Sequence, residues 1–241
     1  MLLFTLPLFA VALIYGAAAL LPAIYLMKYI YRKDTVEKEP SILLMSLLIY
    51  GVIAALISIA LEGIGTKILN SLMDQSTVGY TLVLAFVVVA MVEEGAKFAM
   101  LKRRTWREIN FNYRFDGIVY AVFISLGFAA FENIGYVLGY GLSVAPARAL
   151  LAVPGHMCFG VFMGTFYGRA KQCQVWGDKS EERANLWLGY IVAVLLHGFY
   201  DSCAMVNTVA SSIIFIAFVV IMYIVVIKKV NKESQNDGPI I

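Results

Sequence analysis

A chain of 241 residues with 61% hydrophobic side chains and 15% charged residues, at a mean hydropathy of +0.80, departs from the balance of a globular protein; a soluble core could not hide that much apolar surface. The net charge of +3 does not mark a nucleic-acid binder, because the basic residues lie in short stretches between apolar runs about as long as a bilayer core is thick. Three cysteines, Cys158, Cys173 and Cys203, fall in different segments and exclude a disulfide framework.

In chain order, the apolar stretch 2–27 lacks a basic start and is too long for the core of a signal peptide, and its positive charges, Lys28, Arg32 and Lys33, follow it. It reads as a retained first span that enters with its N-terminus outside. Further spans are predicted over 41–60, 80–101, 117–138, 147–168, 186–205 and 208–227. The last two are joined by so few residues that they must form an antiparallel hairpin.

The basic residues test this reading. Lys28, Arg32, Lys33 and Lys38 follow the first span, and Lys102, Arg103, Arg104, Arg107 and Arg114 follow the third. Arg169, Lys171, Lys179 and Arg183 follow the fifth, and Lys228, Lys229 and Lys232 the last. Opposite them stand only Lys67 and Arg148, with Lys97 inside a span. This alternation predicts an all-α polytopic membrane bundle of seven transmembrane helices, N-terminus outside and C-terminus in the cytoplasm. No repeat or long linker divides the chain, so residues 1–241 are expected to form a single integral membrane domain.

Seven ionisable residues fall inside the apolar segments: Glu93, Glu94, Lys97, Glu132, His156, His197 and Asp201. A charge near a bilayer centre costs roughly 2.5–3.5 kcal/mol on insertion scales, so such a set points to function. Glu93 and Lys97, Phe128 and Glu132, and His197 and Asp201 are each one helical turn apart, which stacks each pair on one helix face. Counting about 1.5 Å per residue along each span places the group between the midplane and the outer leaflet. Pro154 is expected to interrupt the helix beside His156. Glu62 and Asp74 read as residues of an outer loop, and Arg148 as an outer flanking charge.

Carboxylates and imidazoles converging in a polar pocket suit general acid–base hydrolysis, with a Glu taking a proton from water and a His stabilising the oxyanion or serving the leaving amine. The same residues could hold a divalent metal such as zinc, with Glu93, Glu132, His156 and His197 as the candidate ligands and an open position for water. No HExxH and no GxSxG motif occurs, which excludes the zincin and serine-nucleophile patterns.

The ordered set Glu93-Glu94-x-x-Lys97, Phe128-x-x-x-Glu132, His156 and His197-x-x-x-Asp201, with Asp116-Gly117-Ile118 between the first two, resembles the PrsW family of bacterial intramembrane proteases. That family is related to the CAAX prenyl endopeptidases and the ABI-type membrane proteins. In the CAAX branch the second motif ends in His and the last in Asn; Glu132 and Asp201 stand here, so prenylated proteins are not the expected substrates. The resemblance implies a multi-pass protease of the bacterial cytoplasmic membrane that makes the first, extracytoplasmic cut in a single-pass anti-sigma factor, releasing a stress-response sigma factor.

Carried over, Glu93 or Glu94 is the expected base, with His156 and His197 as oxyanion stabilisers or metal ligands. Glu132 assists, Asp201 orients His197, and Lys97 and Phe128 support the site within a catalytic core over roughly 80–205. Two other classes use intramembrane carboxylates and histidines: an ion-coupled transporter or channel, and a non-enzymatic scaffold with a polar core. The transporter reading would favour two similar halves, and the seven unequal spans show no such symmetry.

Overall fold

The computed structural model describes residues 7–206 and 208–240, so the expected start of the first span at 2–6 lies outside the described residues. The helices are α1 (Leu8–Lys33), α2 (Ser41–Leu72), α3 (Val78–Val83), α4 (Met91–Thr105), α5 (Asp116–Tyr140), α6 (Ala145–Ala147), α7 (Val153–Val175), α8 (Lys179–Met205) and α9 (Val209–Gln235). A π-helical turn, Leu84–Ala90, joins α3 to α4 without a break, and another, Arg148–Ala152, joins α6 to α7. Among the described residues these elements form seven continuous helical runs, and strand pairing is limited to one antiparallel bridge, Tyr113 to Pro239. Six of the runs are long and apolar enough to cross a membrane; the run ending in α4 carries Glu93, Glu94 and Lys97 in its middle. The protein is a polytopic helical bundle.

α5 is the central helix, buried along most of its length between α2, α7 and α1. Small residues make that possible. A methyl group on Gly164 would overlap the Gly117 carbonyl oxygen, and one on Gly51 would overlap the Ile124 carbonyl oxygen, so the α5–α7 and α2–α5 backbones pack at distances no larger side chain permits. Outside this core, Ile42, Met45, Ile49, Ile53 and Leu56 of α2 are exposed, as are Ile213, Ile216, Val220 and Ile224 of α9. These rows suit acyl chains in place of water.

Helices extend past the expected span ends. α2 runs for 32 residues, well beyond the expected stop at position 60. Glu62 therefore lies inside a helix, not in an outer loop. A single carboxylate beside two glycines reads as a loop in hydropathy terms, yet a helix tolerates all three when the carboxylate faces a polar cavity.

Loops rich in Lys and Arg meet at one end of the bundle. Asn112 Nδ2 donates to Glu37 Oε2 at 3.0 Å, Lys171 Nζ donates to the Trp106 carbonyl at 2.9 Å, and the Arg114 guanidinium donates to the Asn236 carbonyl at 2.9 Å. This gathers the loop after α1, the loop after α4, the end of α7 and the C-terminal tail on one face, as the alternating charge pattern requires. We refer to it as the cytoplasmic end.

Candidate active site

The two π-helical turns directly precede the residues with the most chemistry. A π turn inserts one residue into the helical register and rotates the residues after it about the helix axis. The first leads into Glu93 and Glu94 in the opening turn of α4, and the second leads into His156 in the opening turn of α7. Pro154 has no N–H to give the Leu150 carbonyl, the partner it would have in a regular α-helix, and Tyr223 from α9 supplies a hydroxyl donor there at 2.7 Å. The break expected at Pro154 does not occur: the π turn passes straight into α7, and the one backbone partner Pro154 cannot supply is replaced by a side chain from a neighbouring helix.

α4 presents Glu93, Glu94 and Lys97, all buried. Lys97 Nζ donates to Glu94 Oε1 at 2.8 Å and to Glu93 Oε2 at 3.1 Å, and lies 3.1 Å from His156 Nδ1. Phe128, one turn before Glu132 on α5, places its ring 4.0 Å from the same ammonium. A buried cation is tolerable only when so surrounded: two carboxylates and an aromatic face replace the water it has lost.

The two histidines are arranged alike. His197 Nδ1 is 2.8 Å from Glu94 Oε1 and 4.0 Å from Glu93 Oε2, while its Nε2 is 3.3 Å from Asp201 Oδ2. His156 turns Nδ1 toward Lys97 and the glutamate pair, and Nε2 toward Glu132 Oε2 at 3.1 Å. Each ring therefore faces the centre with Nδ1 and is braced from behind by a carboxylate. The Phe159 ring stacks on His197 at 4.7 Å between centroids and fixes its plane.

Glu132 is itself held. Arg148 Nη2 donates to Glu132 Oε2 at 2.8 Å, Arg148 Nε donates to Asn133 Oδ1 at 2.8 Å, and the guanidinium lies 3.8 Å from the Tyr136 ring centroid. The residue read as an outer flanking charge is part of the site's wall. A cavity of about 380 Å³ opens onto His156, His197, Glu132 and Asp201, with Arg148 and Glu62 also lining it. Glu62 Oε1 is enclosed and has no hydrogen-bond partner. Glu62 stands far from the other site residues in sequence, and Arg148 opens the π turn that leads to His156; the signal each offers is a charged residue at the edge of an apolar run.

The structure thus brings together all of Glu93, Glu94, Lys97, Phe128, Glu132, His156, His197 and Asp201. Among the described residues, the group whose potential ligand atoms all lie within 4.8 Å of one another is Glu93, Glu94, His156 and His197. Glu132 stands behind His156, on the side away from the glutamate pair. Two imidazoles and two carboxylates are a donor set for a borderline divalent ion such as zinc, and a carboxylate behind each ring is the usual support of a metal-binding histidine. Glu94 Oε2, fully enclosed and unpartnered, is a further available donor. The residues fit a metal, and a cation entering there would take His156 Nδ1 from Lys97.

Comparison with known proteins agrees with this geometry. The sequence model of a family described as "PrsW family intramembrane metalloprotease" matches residues 39–227. Protease PrsW of Clostridioides difficile (strain 630) is 32% identical over 222 residues, covering 90% of each chain. The enzyme of the same name from Geobacillus kaustophilus (strain HTA426) is 32% identical over 185 residues, 77% of each chain, and that of Bacillus subtilis (strain 168) is 32% identical over 185 residues, 77% of this chain and 80% of the relative. No solved structure matches. The chain belongs to the PrsW family of intramembrane proteases and is a multi-pass bacterial membrane enzyme.

Proposed function

We propose that this protease cleaves a single-pass membrane anti-sigma factor on its extracytoplasmic side, with a catalytic core of roughly residues 80–205 joined by Glu62 of α2. One observation carries the reading: two histidines turn Nδ1 toward an adjacent glutamate pair, each braced by a carboxylate, at the floor of a cavity inside the bundle. The cavity is also lined by Tyr136 of α5 and Met205 of α8. These lie at the helix ends remote from the basic loops, which supports an extracytoplasmic cut.

Glu93 is the better candidate for the base. Glu94 Oε1 already accepts from Lys97 and contacts His197, both at 2.8 Å, whereas Glu93 is held more loosely by Lys97 at 3.1 Å. In the proposed reaction Glu93 removes a proton from a water that attacks the scissile carbonyl, and returns it to the amine as the C–N bond breaks. Lys97 holds Glu94 in place. Asp201 and Glu132 hold the rings of His197 and His156 in orientation, and Arg148 holds Glu132. A divalent cation bound by Glu94, His156 and His197 would supply Lewis-acid polarisation of the carbonyl.

The test is cleavage of a candidate anti-sigma factor by the purified protein, with and without a strong chelator and with zinc added back, alongside metal analysis. Loss on chelation and recovery with zinc supports the metal reading. Cleavage indifferent to chelation assigns the work to Glu93 without a metal, and no cleavage of any single-pass anti-sigma factor overturns the substrate assignment.

A further inference from the structure

The cytoplasmic end holds a second buried polar cluster, at the opposite end of the bundle from Tyr136 and Met205 of the cavity wall and unused by the chemistry above. Asp34, just after α1, is 1% exposed; the Glu39 backbone N–H approaches its carboxylate, but neither oxygen makes a hydrogen bond of full geometry and no side chain reaches it. Glu39, just before α2, is 6% exposed; Oε1 accepts from the Tyr120 hydroxyl at 2.8 Å and Oε2 has no partner. Asp116, at the start of α5, uses Oδ2 to accept the backbone N–H groups of Asn112 and Tyr113 at 3.0 and 2.7 Å. Asp237 in the tail uses Oδ1 to accept from Phe115 and Gly238 at 3.0 and 2.9 Å. Asp237 and Asp116 thus hold the two sides of the Asn112–Phe115 turn, and Glu39 reaches α5 one turn further on through Tyr120; Asp34 feels the charge of Asp237, and Glu39 and Asp116 feel each other and Asp34.

No Lys, Arg or His among the described residues forms an ion pair with any of the four. Lys38, whose charge acts on Asp34, directs its hydrogen bonds to the main-chain carbonyls of Tyr31 and Asp34, and Arg114, whose charge acts on Asp237, donates to the Asn236 carbonyl. On α9, Asn231 Oδ1 is enclosed and unpartnered as well, one turn before Ser234, whose hydroxyl donates to the Lys33 carbonyl beside Asp34. Every unpartnered side-chain atom in this region of the loop and α9 is an oxygen. Burial and neighbouring carboxylates raise Asp34 to about 6, against the opposing charge of Lys38, and Glu39 to about 7.

We propose that Asp34, Glu39, Asp116 and Asp237 bind a hydrated hard divalent cation, Mg²⁺ or Ca²⁺, that clamps the C-terminal tail and α9 to the loop between α1 and α2. An all-oxygen, histidine-free donor set selects such ions over zinc. The four groups are spread more widely than the catalytic donors, which alone among the described residues converge within 4.8 Å. That spacing suits an ion that keeps part of its water shell, the habit of Mg²⁺ above all. The clamp would reinforce the seam already formed by Ile240 N donating to the Asn112 carbonyl at 2.7 Å and Arg114 N to the Gly238 carbonyl at 3.3 Å.

The test uses the full chain in detergent, stripped with a chelator and titrated with MgCl₂ or CaCl₂ at pH 7.5 while thermal unfolding is followed, with NaCl of equal ionic strength as control. Terbium luminescence excited through tyrosine serves as a second readout, with Tyr120 hydrogen-bonded to Glu39 as the antenna. The expected result is a saturable rise in Tm with Mg²⁺ or Ca²⁺ beyond that with NaCl, and a terbium signal displaced by the same ion. Asp34→Asn and, separately, Glu39→Gln shift both midpoints at least tenfold. Should Asp34→Asn not fold, Asp237→Asn replaces it, and the wild-type terbium signal stands independently. A Tm that responds only to ionic strength, or a response equally strong in the variants, overturns the proposal.

Discussion

Lys97 Nζ and His156 Nδ1 lie 3.1 Å apart although 59 residues separate them in the chain. The contact joins the α4 motif to the α7 histidine, and it places an ammonium where two carboxylates and an imidazole converge. Removing that ammonium while leaving its partners buried is costly, because breaking a buried ion pair from one side costs about 3–5 kcal/mol. Lys97→Met is therefore expected to lower the midpoint of thermal unfolding in detergent strongly. Restored stability in Lys97→Met combined with Glu94→Gln would confirm that the penalty is the uncompensated carboxylate; equal instability of single and double variants would refute it.

The adjacent glutamates are expected to separate by readout. Glu93→Gln keeps a group of the same shape and loses the proton acceptor, so cleavage should fall about 10²–10⁴-fold with the fold intact. Glu94→Gln also disturbs the two 2.8 Å contacts to Lys97 and His197, so it should lower both activity and unfolding temperature. The measurement is initial cleavage rate beside unfolding temperature for each variant. The reverse pattern, with Glu94→Gln stable and inactive, would move the base to Glu94.

The sequence carried much of this site because the lipid-facing parts of the chain are so apolar. Glu93, Glu94, Lys97, Glu132, His156, His197 and Asp201 each stand out as the ionisable residue of an otherwise greasy helix, and their one-turn spacings fix which of them share a face. Hydropathy could not show how far each helix is rotated about its axis. Whether Asp201 braces His197 from behind or meets substrate itself depends on that rotation of α8, just as the facing of Glu93, Glu94 and His156 depends on the π turns before α4 and α7. Glu62 reads as a loop residue for a related reason: a charge at the edge of an apolar run looks like a loop until packing turns it toward a cavity, and the outer position of Arg148 does not by itself reveal its contact with Glu132. Asp34, Glu39, Asp116 and Asp237 sit in turns and termini up to two hundred residues apart, and only the closed tail brings them together.

Asp201 and Glu132 are expected to act through the histidines. Losing a carboxylate behind a ligating imidazole costs about 10–100-fold in metal affinity. Asp201→Asn and Glu132→Gln should weaken zinc binding by that amount in competition with a chelating dye, and raising free zinc should recover part of the cleavage. Glu132→Gln should have the larger structural effect, since Arg148 loses a charged acceptor at 2.8 Å. Unchanged zinc affinity with lost cleavage would instead place Asp201 in contact with substrate.

The carboxylates of the cytoplasmic end should make stability depend on pH. Asp34 and Glu39 carry folded-state values of about 6 and about 7, raised above 3.8 and 4.5 by burial first and then by neighbouring carboxylates. The folded chain thus binds their protons more tightly than the unfolded chain does, so their contribution to stability is full below about pH 4 and is lost as pH rises through 6 to 7. The groups facing them are Glu37, Asp116, Asp237, Tyr120 and Lys38. Of these, the one cation, Lys38, lowers Asp34 without cancelling the burial effect. In chelator, the unfolding temperature of the wild type should therefore fall between pH 5 and pH 8 more steeply than that of Asp34→Asn. The difference between the two curves isolates this cluster from the ionisable groups of the active site, which both proteins share. Mg²⁺ or Ca²⁺ should close that difference at pH 8 and have little effect at pH 5, where protons already occupy the carboxylates; parallel curves at every pH would show that Asp34 is not ionising in this range.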